Sequence, residues 1–473
     1  MTGNLDDMKA GLALDDLPPA YLDAIALTRE LGVRYIWIDA LCIIQDSQVD
    51  WERECSSMAD TYANAYLTIA AASSSSVTQH FLRPQLEPPA QYQQRVYNES
   101  VANRTGPVMV KARLTWATGS HWKWQNTADH QPLVEPLTQR GWTLQEKVLS
   151  TRLLSISAME MAWTCKERIY CECGSRLNYQ REFGQTPLSQ ISKPGDAFNF
   201  WHKVIENYSK RNLTQPGDKL PAISAIASII QQRIGSDYVA GLWSDNIDLD
   251  LLWRRAGEAQ TISSSYIAPS FSWASITGEV DYLCFRNGKL PYQRASKVLE
   301  ISSVTGPDAP LGRVSTSSLI IEGPISAGRI EYQEQSEYAV AYVGNTRFWF
   351  RPDTILSTTV AVGLDGVSEM SVCRETPKDN KGDPTKSPEK SDVTQGSGDA
   401  QEQSSLPIRC WVLRLGAFAL LDKQQQNDHE ILVLGKSPSQ SDAFERIGLA
   451  SSRYSGEEGE LFVQERIATM IIV

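Results

Sequence analysis

The chain has 473 residues, of which 41% are hydrophobic and 21% charged, so it is long enough for two or three globular domains. Its formal net charge is -11 and it carries no cluster of Lys and Arg, which excludes a non-specific nucleic-acid surface. No apolar run reaches the length of a membrane span, and the N-terminus has no export signal.

Cysteine usage indicates a reducing compartment. Eight cysteines are scattered along the chain without the spacing of a disulfide framework, so we expect a cytoplasmic protein. The one tight group, Cys165, Cys171 and Cys173, has neither a second pair nor a nearby histidine. Structural zinc sites usually have both, so we predict ordinary thiols and no bound metal or other cofactor.

The first third of the chain predicts alternating helices and strands. The stretch Asp15 to Leu31 has helical periodicity, with two prolines suited to a first turn. The unbroken apolar run Tyr35 to Ile38 predicts a strand covered on both faces, as in a parallel sheet. A helix capped by Asp50 and a second strand at Tyr66 to Ala71 follow, which completes a β-α-β unit.

Residues 73–135 lose this periodicity and predict a long surface insertion that carries one or two strands, such as Pro107 to Leu114. Order then returns. Thr143 and Glu146 have the Thr-x-x-Glu spacing of a capping box, which predicts a helix from Thr143 and gives Glu146 a structural role. Leu153 to Ile156 predicts another strand.

The remainder divides into two regions of different composition. Residues 161–280 predict a helical connecting region. Residues 281–473 contain short apolar runs between Gly and Pro turns, which predict a β-rich C-terminal module. Within this module, residues 374–405 are too polar to pack, and we expect them to be disordered.

Several blocks of the sequence resemble the fungal heterokaryon-incompatibility (HET) domain family. They are YIWIDALCIIQD from Tyr35, DWERECSSMADTYANAYLTIAA from Asp50, PLTQRGWTLQEKVLSTRLL from Pro136, and two later stretches, Tyr208 to Ala227 and Tyr238 to Gly278. The blocks occur in the family's order. Members usually open with a strand reading Leu-Ser-Tyr-x-Trp-Gly, which this chain lacks, so we expect the sheet beside Tyr35 to miss one strand.

The resemblance implies a HET domain over residues 1–160 with a flavodoxin-like, TIR-like parallel sheet. It implies a role in self/non-self recognition and programmed cell death, a form of fungal innate immunity. Two mechanisms remain open. The domain could signal by homo-oligomerisation and contact with protein partners of the incompatibility system. Alternatively, it could be an enzyme that cleaves the bond between nicotinamide and ribose, with NAD as substrate.

A TIR-like enzyme would use a carboxylate near the strand ends to stabilise an oxocarbenium-like state. The candidates are Asp39, Asp46, Asp50, Glu52 and Glu54. Glu54 lies at the edge of the inward helical stripe and fits either a catalytic carboxylate or a partner of a neighbouring Arg. Asp39 fits either a ligand-binding role or acceptance of backbone hydrogen bonds from the following turn. Asp50 is expected to be the helix cap.

Arg140 and Trp142 are the candidate substrate-binding residues. Arg140 precedes the N-terminus of the predicted helix, where an anion can be received. Its guanidinium could bind a pyrophosphate or form a salt bridge with Asp39. Trp142 fits either a substrate contact or a place in the core.

Overall fold

The structure is a computed structural model, and the chain forms two compact units. The first contains Met1–Phe200, Arg211–Thr214 and Pro221–Ile234, and the second contains Trp201–Lys210, Gln215–Leu220 and Gly235–Val473. The residues that the structure describes are 1–82, 94–97, 108–111, 135–157, 161–171, 188, 191–260, 262–282, 291–307, 309–332, 337–362, 368–375, 408–418, 428–452 and 466–473.

Helices dominate the described part of the first unit. The α-helices among the described residues are α1 (Leu5–Ala10), α2 (Pro19–Glu30), α3 (Asp39–Cys42), α4 (Gln48–Asn64), α5 (Trp142–Leu149), α6 (Pro194–Tyr208), α7 (Ser224–Ile234) and α8 (Ile247–Asp250). All but α8 lie wholly or partly in the first unit. The strands of the first unit are β1 (Thr68–Ala70), β2 (Gln94–Tyr97), β3 (Val108–Lys111), β4 (Arg152–Ile156), β5 (Met161–Cys165) and β6 (Ile169–Cys171).

The main sheet of the first unit has the strand order β1-β4-β5-β6. Strands β1 and β4 are parallel, with Thr68 opposite Leu153, whereas β4, β5 and β6 pair antiparallel. The predicted strands at Tyr66 to Ala71 and Leu153 to Ile156 are therefore confirmed. The strand predicted at Pro107 to Leu114 is confirmed as β3, which pairs with β2.

The strand predicted at Tyr35 to Ile38 is wrong. This segment is extended, with Ile38 at φ -129° and ψ 120°, but it belongs to no sheet among the described residues. Tyr35 is 81% exposed, so the apolar run is not covered on both faces. An extended segment becomes a strand only when a neighbouring strand takes up its peptide groups, and no such neighbour lies in the described ranges. The flavodoxin-like, TIR-like sheet stays a prediction.

Two predicted helix starts shift by a few residues. Helix α2 begins at Pro19, which stands in its first turn as predicted. Helix α4 begins at Gln48, and the Ser47 side chain caps it by accepting a hydrogen bond from the Asp50 backbone N–H. Ser47 is therefore the cap, and Asp50, expected in that role, lies inside the helix.

The second unit is built mainly from strands. They are β7 (Tyr238–Val239), β8 (Leu242–Trp243), β9 (Arg254–Arg255), β10 (Val280–Asp281), β11 (Tyr292–Arg294), β12 (Lys297–Gly306), β13 (Ala309–Tyr332), β14 (Ala339–Val343), β15 (Thr346–Pro352), β16 (Leu356–Val362), β17 (Ser368–Arg374), β18 (Ile408–Phe418), β19 (Asp428–Lys436), β20 (Ala443–Ser451) and β21 (Arg466–Ile472). Strands β11 to β21 form an 11-stranded sheet, so the predicted β-rich C-terminal module is confirmed.

This sheet closes on itself. Strand β13 pairs with β14 and also with β18, so β13, β14, β15, β20, β19 and β18 form a ring. Buried apolar side chains from these strands, among them Phe348, Val412, Val433 and Ile447, form the core. Burial of this apolar surface is the main stabilising contribution to the second unit.

The predicted helical character of residues 161–280 is not confirmed. Helices α6, α7 and α8 are present there, but strands β5 to β9 occupy the same region. Of the predicted insertion, residues 83–93, 98–107 and 112–134 lie outside the described residues. The segment predicted to be disordered, 374–405, lies outside them from residue 376 onward.

Membrane-spanning helices and metal-binding clusters are both absent from the described residues. No helix in the described ranges has the length and apolar character needed to cross a membrane. Nor do His, Cys, Asp and Glu side chains gather there in a group of three or more that could hold a metal ion. Cys165 is a free thiol, whereas Cys173 lies outside the described part of the chain.

Gly435 in β19 provides a test of the second unit's packing. A Cβ atom at this position would overlap the carbonyl oxygen of Val372 in β17. We expect Gly435→Ala to lower the free energy of unfolding by about 1–3 kcal/mol, because backbone atoms must move to accept the methyl group. Chemical denaturation measures the change. Gly306→Ala is the matched control, since no atom lies within 4 Å of its Cβ, and an equal loss in both variants would contradict this account.

Candidate functional site

The first unit contains a large cavity of about 2630 Å³. Its walls come from α2, the extended segment before α3, the end of α4, β1, and the residues around the start of α5. This volume exceeds the roughly 300–1,000 Å³ of a typical ligand pocket, so the cavity has room for a ligand of dinucleotide size. It is lined by both apolar and ionisable side chains.

The start of α5 places Glu146 on this cavity. Gly141 occupies the N-cap position, and no side chain caps the helix. The Thr143 hydroxyl donates backwards, to the carbonyl oxygens of Leu137 at 2.7 Å and Arg140 at 2.8 Å. The predicted capping box is therefore wrong, because Thr143 lies inside the helix and already uses its hydroxyl. Glu146 is left to line the cavity.

The environment of Glu146 favours its protonated form. Burial is the largest cause, followed by the negative charge of Asp39, and together they raise the pKa of Glu146 to about 7. The positive charges of Arg140 and Arg211 and a hydrogen bond with Tyr62 act in the opposite direction. Glu146 is therefore a carboxyl group that exchanges its proton near neutral pH, as a general acid or base must.

Two tyrosines face the same group of charges. The Tyr62 hydroxyl is hydrogen-bonded to Glu146, and burial together with the charges of Glu146 and Asp39 raises the pKa of Tyr62. Its ring packs edge-on against Trp37, with centroids 5.8 Å apart. Burial and the charge of Asp39 likewise raise the pKa of Tyr21, on α2. Both phenols are therefore neutral hydrogen-bond donors in the cavity wall.

A segment distant in sequence contributes a second arginine. Arg211 Nη1 donates to the carbonyl oxygen of Arg140 at 3.3 Å and to Thr143 Oγ1 at 3.1 Å. Asn212 connects this segment to the backbone on either side of Arg140. Gly141 N donates to Asn212 O at 2.8 Å, and Asn212 N donates to Gln139 O at 2.6 Å. Arg211 and Arg140 both line the cavity.

The structure brings together two of the four predicted site residues. Asp39 and Arg140 both line the cavity. Asp39 is exposed, and its Oδ1 accepts a hydrogen bond from Ala40 N at 2.8 Å. This is the backbone hydrogen bond from the following turn that was one of the two roles predicted for Asp39. Glu54 is not among the described lining residues, and its carboxylate lies 3.3 Å from Arg53 Nη2. Trp142 is not among them either and packs edge-on against Trp51, with centroids 6.1 Å apart.

Two of the remaining acidic candidates have structural partners. Asp46 accepts hydrogen bonds from the backbone N–H and the hydroxyl of Thr2, at 2.7 Å and 2.8 Å. Asp50 accepts one from Ile44 N at 2.8 Å and pairs with Arg53. The described lining also carries ionisable groups outside the central cluster, namely Asp60, Glu135, Lys147, Lys166 and Arg233. Cations are thus well represented in this cavity, although the chain as a whole is acidic with a net charge of -11.

The raised pKa of Glu146 predicts a pH-dependent stability. An unfolded Glu ionises near 4.5, whereas folded Glu146 keeps its proton to about 7. The folded chain therefore binds more protons in this interval. The stabilisation is fully present below pH 4.5 and is lost as the pH rises through 7, a change of about 3 kcal/mol. We expect Glu146→Gln to remove this slope in urea unfolding curves between pH 4.5 and 7.5, and Glu30→Gln, at an exposed position of α2, to retain it.

Sequence reasoning missed Glu146, Tyr62 and Arg211. The spacing that suggested a capping box assigned Glu146 a structural role. Tyr62 follows Trp51, Cys55 and Met58 at helical spacing, a pattern that predicts a place on the inward face of the helix and not a functional role. Arg211 lies in the family-like stretch Tyr208 to Ala227, but no local sequence pattern indicates that residue 211 lies beside residue 140. Long-range pairing of this kind is fixed by tertiary packing.

Comparison with known proteins connects the start of the chain with a described family. Residues 2–146 match the family model described as Heterokaryon incompatibility protein (HET). Asp39, Tyr62, Arg140 and Glu146 lie within the matched residues, with Glu146 at their end, and Arg211 lies beyond them. No curated protein and no solved structure matches the chain.

Proposed function

Residues 2–146 belong to the heterokaryon incompatibility family, and on that premise we propose that the protein acts in fungal non-self recognition and triggers programmed cell death. We further propose that the cavity of the first unit carries out the triggering reaction in the cytoplasm. The reaction is the cleavage of the bond between nicotinamide and ribose in NAD. One observation supports this choice above the others: Asp39, Tyr62, Arg140 and Glu146 converge on one cavity.

The chemistry suits the residues that line the cavity. When the bond between C1′ of the ribose and the nicotinamide nitrogen breaks, its electron pair moves to nicotinamide, which leaves as a neutral molecule. The ribose becomes an oxocarbenium-like cation, which the carboxylate of Asp39 stabilises. Water then adds to C1′ and gives up a proton. Glu146, with a pKa of about 7, is the base that accepts it.

In this proposal Asp39 and Arg140 have their predicted roles, with Arg140 receiving the diphosphate. The base is Glu146 instead of Glu54, because Glu146 lines the cavity and Glu54 pairs with Arg53. Tyr62 donates a hydrogen bond to the ionised form of Glu146 and holds it in position.

A second function is supported by a different observation. Tyr35, Ile36 and Tyr66 are 81%, 38% and 64% exposed, so this unit presents large apolar side chains to solvent. If the domain signals by oligomerisation and contact with protein partners, these side chains are the natural contact surface. Carboxylate chemistry would then be dispensable, and Glu146→Gln would leave cell death unchanged.

The test uses the purified 473-residue protein with NAD, and liquid chromatography measures the release of nicotinamide. We expect nicotinamide and ADP-ribose in equal amounts. Unchanged NAD at high protein concentration would count against the enzyme and in favour of the interaction module. Expression of the wild-type and Glu146→Gln chains in fungal cells, with viability as the readout, separates the two mechanisms in the cell.

A further inference from the structure

Lys219, in the second unit, is a lysine with no carboxylate partner among the described residues. Its Nζ donates a hydrogen bond to the carbonyl oxygen of Ile276 and lies 5.5 Å from the centroid of the Trp273 ring. The Lys219 carbonyl oxygen accepts a hydrogen bond from the Tyr208 hydroxyl at 2.8 Å. Trp273 is fully buried and Lys219 is partly buried, so the amine is held in a fixed and largely apolar place.

The charged group that acts on this amine is another cation, Arg374. Arg374 Nη2 donates to the Ser275 hydroxyl at 3.1 Å, so the guanidinium and the amine are bound to the consecutive residues Ser275 and Ile276. Burial, followed by the positive charge of Arg374, lowers the pKa of Lys219 to about 7. About half of the Lys219 side chains are therefore neutral amines at pH 7, whereas fewer than about one in a thousand exposed lysines are.

The surroundings of Arg374 carry more positive than negative charge. Three buried arginines and two carboxylates interact there, namely Arg255, Arg374, Arg446, Asp353 and Glu445. Asp353 pairs with Arg446 at 2.7 Å, and Glu445 accepts its hydrogen bond from the backbone of Arg374. The ion pair of Arg351 with Glu337, beside Arg255, adds no net charge. Arg374 Nε is buried and has no hydrogen-bond partner in the described part of the chain. An anion beside Arg374 therefore meets a net positive charge and an unused donor.

We propose that Lys219 is a carboxylation site, at which the neutral amine binds carbon dioxide as a carbamate that Arg374 stabilises. The nitrogen lone pair attacks the carbon of CO2, an N–C bond forms, and one pair of C–O electrons moves onto an oxygen. The nitrogen then releases one proton to the solvent, so that a neutral amine becomes an anion. The step needs no oxidant, reductant or further reactant.

Carbon dioxide suits this position in size and charge. It is small and uncharged, so it reaches a partly buried amine more easily than a bulky acyl donor does. Burial disfavours the carbamate as well as the ammonium ion, and the neighbouring charge therefore decides between them. The Trp273 ring and the Ile276 carbonyl favour the ammonium ion, but burial and Arg374 outweigh them, since the pKa of Lys219 is lowered. The same charge of Arg374 lowers the energy of a carbamate.

The experiment detects the carbamate directly. The purified 473-residue protein is equilibrated with carbon-13-labelled CO2 at one fixed pH near neutrality and at constant ionic strength. Carbon-13 NMR detects the new carbon, and alkylation with a trialkyloxonium salt followed by peptide mass spectrometry identifies the modified residue. We expect carbamate on Lys219 to exceed that on the exposed Lys203 by at least about tenfold, because the gain in neutral amine outweighs the lower nucleophilicity of a less basic amine.

Variants separate the reacting residue from the residue that stabilises the product. Lys219→Met should remove the assigned signal, and Lys203→Met, the matched control, should retain it. Arg374→Gln should lower the amount of carbamate on Lys219 by about tenfold or more, and Arg374→Lys, which keeps a positive charge, by less. At constant pH, CO2 should raise the thermal midpoint of the wild type but not that of Lys219→Met, because a group bound only by the folded chain stabilises it. If a variant does not fold, the peptide map of the wild type still decides the assignment.

The inference is independent of the proposed function, because Lys219 lies in the second unit and the cavity in the first. No carbamate on Lys219 in saturating CO2, or equal amounts on Lys219 and Lys203, overturns the inference even if NAD is cleaved. Carbamate on Lys219 in a protein that leaves NAD intact supports it. An unchanged amount in Arg374→Gln overturns the stabilising role of Arg374.

Discussion

Replacing Glu146 by Gln is expected to lower the rate of NAD cleavage by about 10²–10⁴-fold, the usual contribution of a general acid or base. Glutamine fills nearly the same volume and still hydrogen-bonds Tyr62, but it cannot accept a proton from water. Because the pKa of Glu146 is about 7, the wild-type rate should rise as the pH increases through 7 and then level off. The variant should lack this rise.

The measurement is the initial rate of nicotinamide release between pH 5.5 and 8.5. Glu54→Gln is the informative comparison, since Glu54 was the catalytic residue expected from the sequence and its carboxylate pairs with Arg53. Glu30→Gln is the matched control on the exposed side of α2. A large loss in Glu54→Gln with little change in Glu146→Gln would restore the sequence-based assignment and refute the one made from the structure.

Local patterns predicted most elements of the fold correctly. Helix α2, strands β1, β3 and β4, and the β-rich character of the C-terminal module were expected from periodicity and turn residues. Such signals are strong because each element buries one side against the rest of the chain. Boundaries were less certain, since Ser47 and not Asp50 caps α4. Capping depends on the backbone angles of a single residue, which the sequence only suggests.

Features that depend on distant partners were predicted poorly. Tyr35 to Ile38 has the composition of a buried strand, but strand formation also needs a neighbouring strand, and none pairs with it among the described residues. Burial and the charge of Asp39, a residue far from Glu146 in the sequence, raise the pKa of Glu146. The sequence therefore predicted the part of the candidate site that contains Asp39 and Arg140. It did not predict Glu146, the proposed base.

Strand β20 carries charged residues that are unusual in a buried strand. Glu445 and Arg446 interrupt its apolar pattern. Charged residues usually mark a solvated segment, so the sequence does not indicate a buried strand here. In the structure Arg446 is fully buried. Its Nε lies 2.7 Å from the Asp353 carboxylate, and its two Nη atoms donate to the carbonyls of Leu251 and Trp253. A buried charge of this kind is stable only when every donor finds an acceptor.

Arg446→Met is therefore expected to destabilise the second unit by about 3–5 kcal/mol, since it leaves the buried carboxylate of Asp353 without its partner. The carbonyls of Leu251 and Trp253 lose their donors as well, and the guanidinium stacked 3.5 Å from the Trp253 ring is removed. We expect the thermal midpoint to fall by roughly 10 °C. Differential scanning calorimetry of the full-length chain measures this shift.

The matched control is Arg294→Met. Its ion pair with Asp248 has the same 2.7 Å separation as the Arg446 pair, but the Arg294 side chain is 66% exposed and that of Arg446 is 0% exposed. Water screens the attraction between the exposed Arg294 guanidinium and Asp248, whose side chain is 11% exposed, so this variant should lose less stability than Arg446→Met. The double variant Arg446→Met with Asp353→Leu removes both buried charges and should recover much of the lost stability. Equal shifts for Arg446→Met and Arg294→Met would mean that burial of the pair contributes nothing, and that the charges in β20 need another explanation.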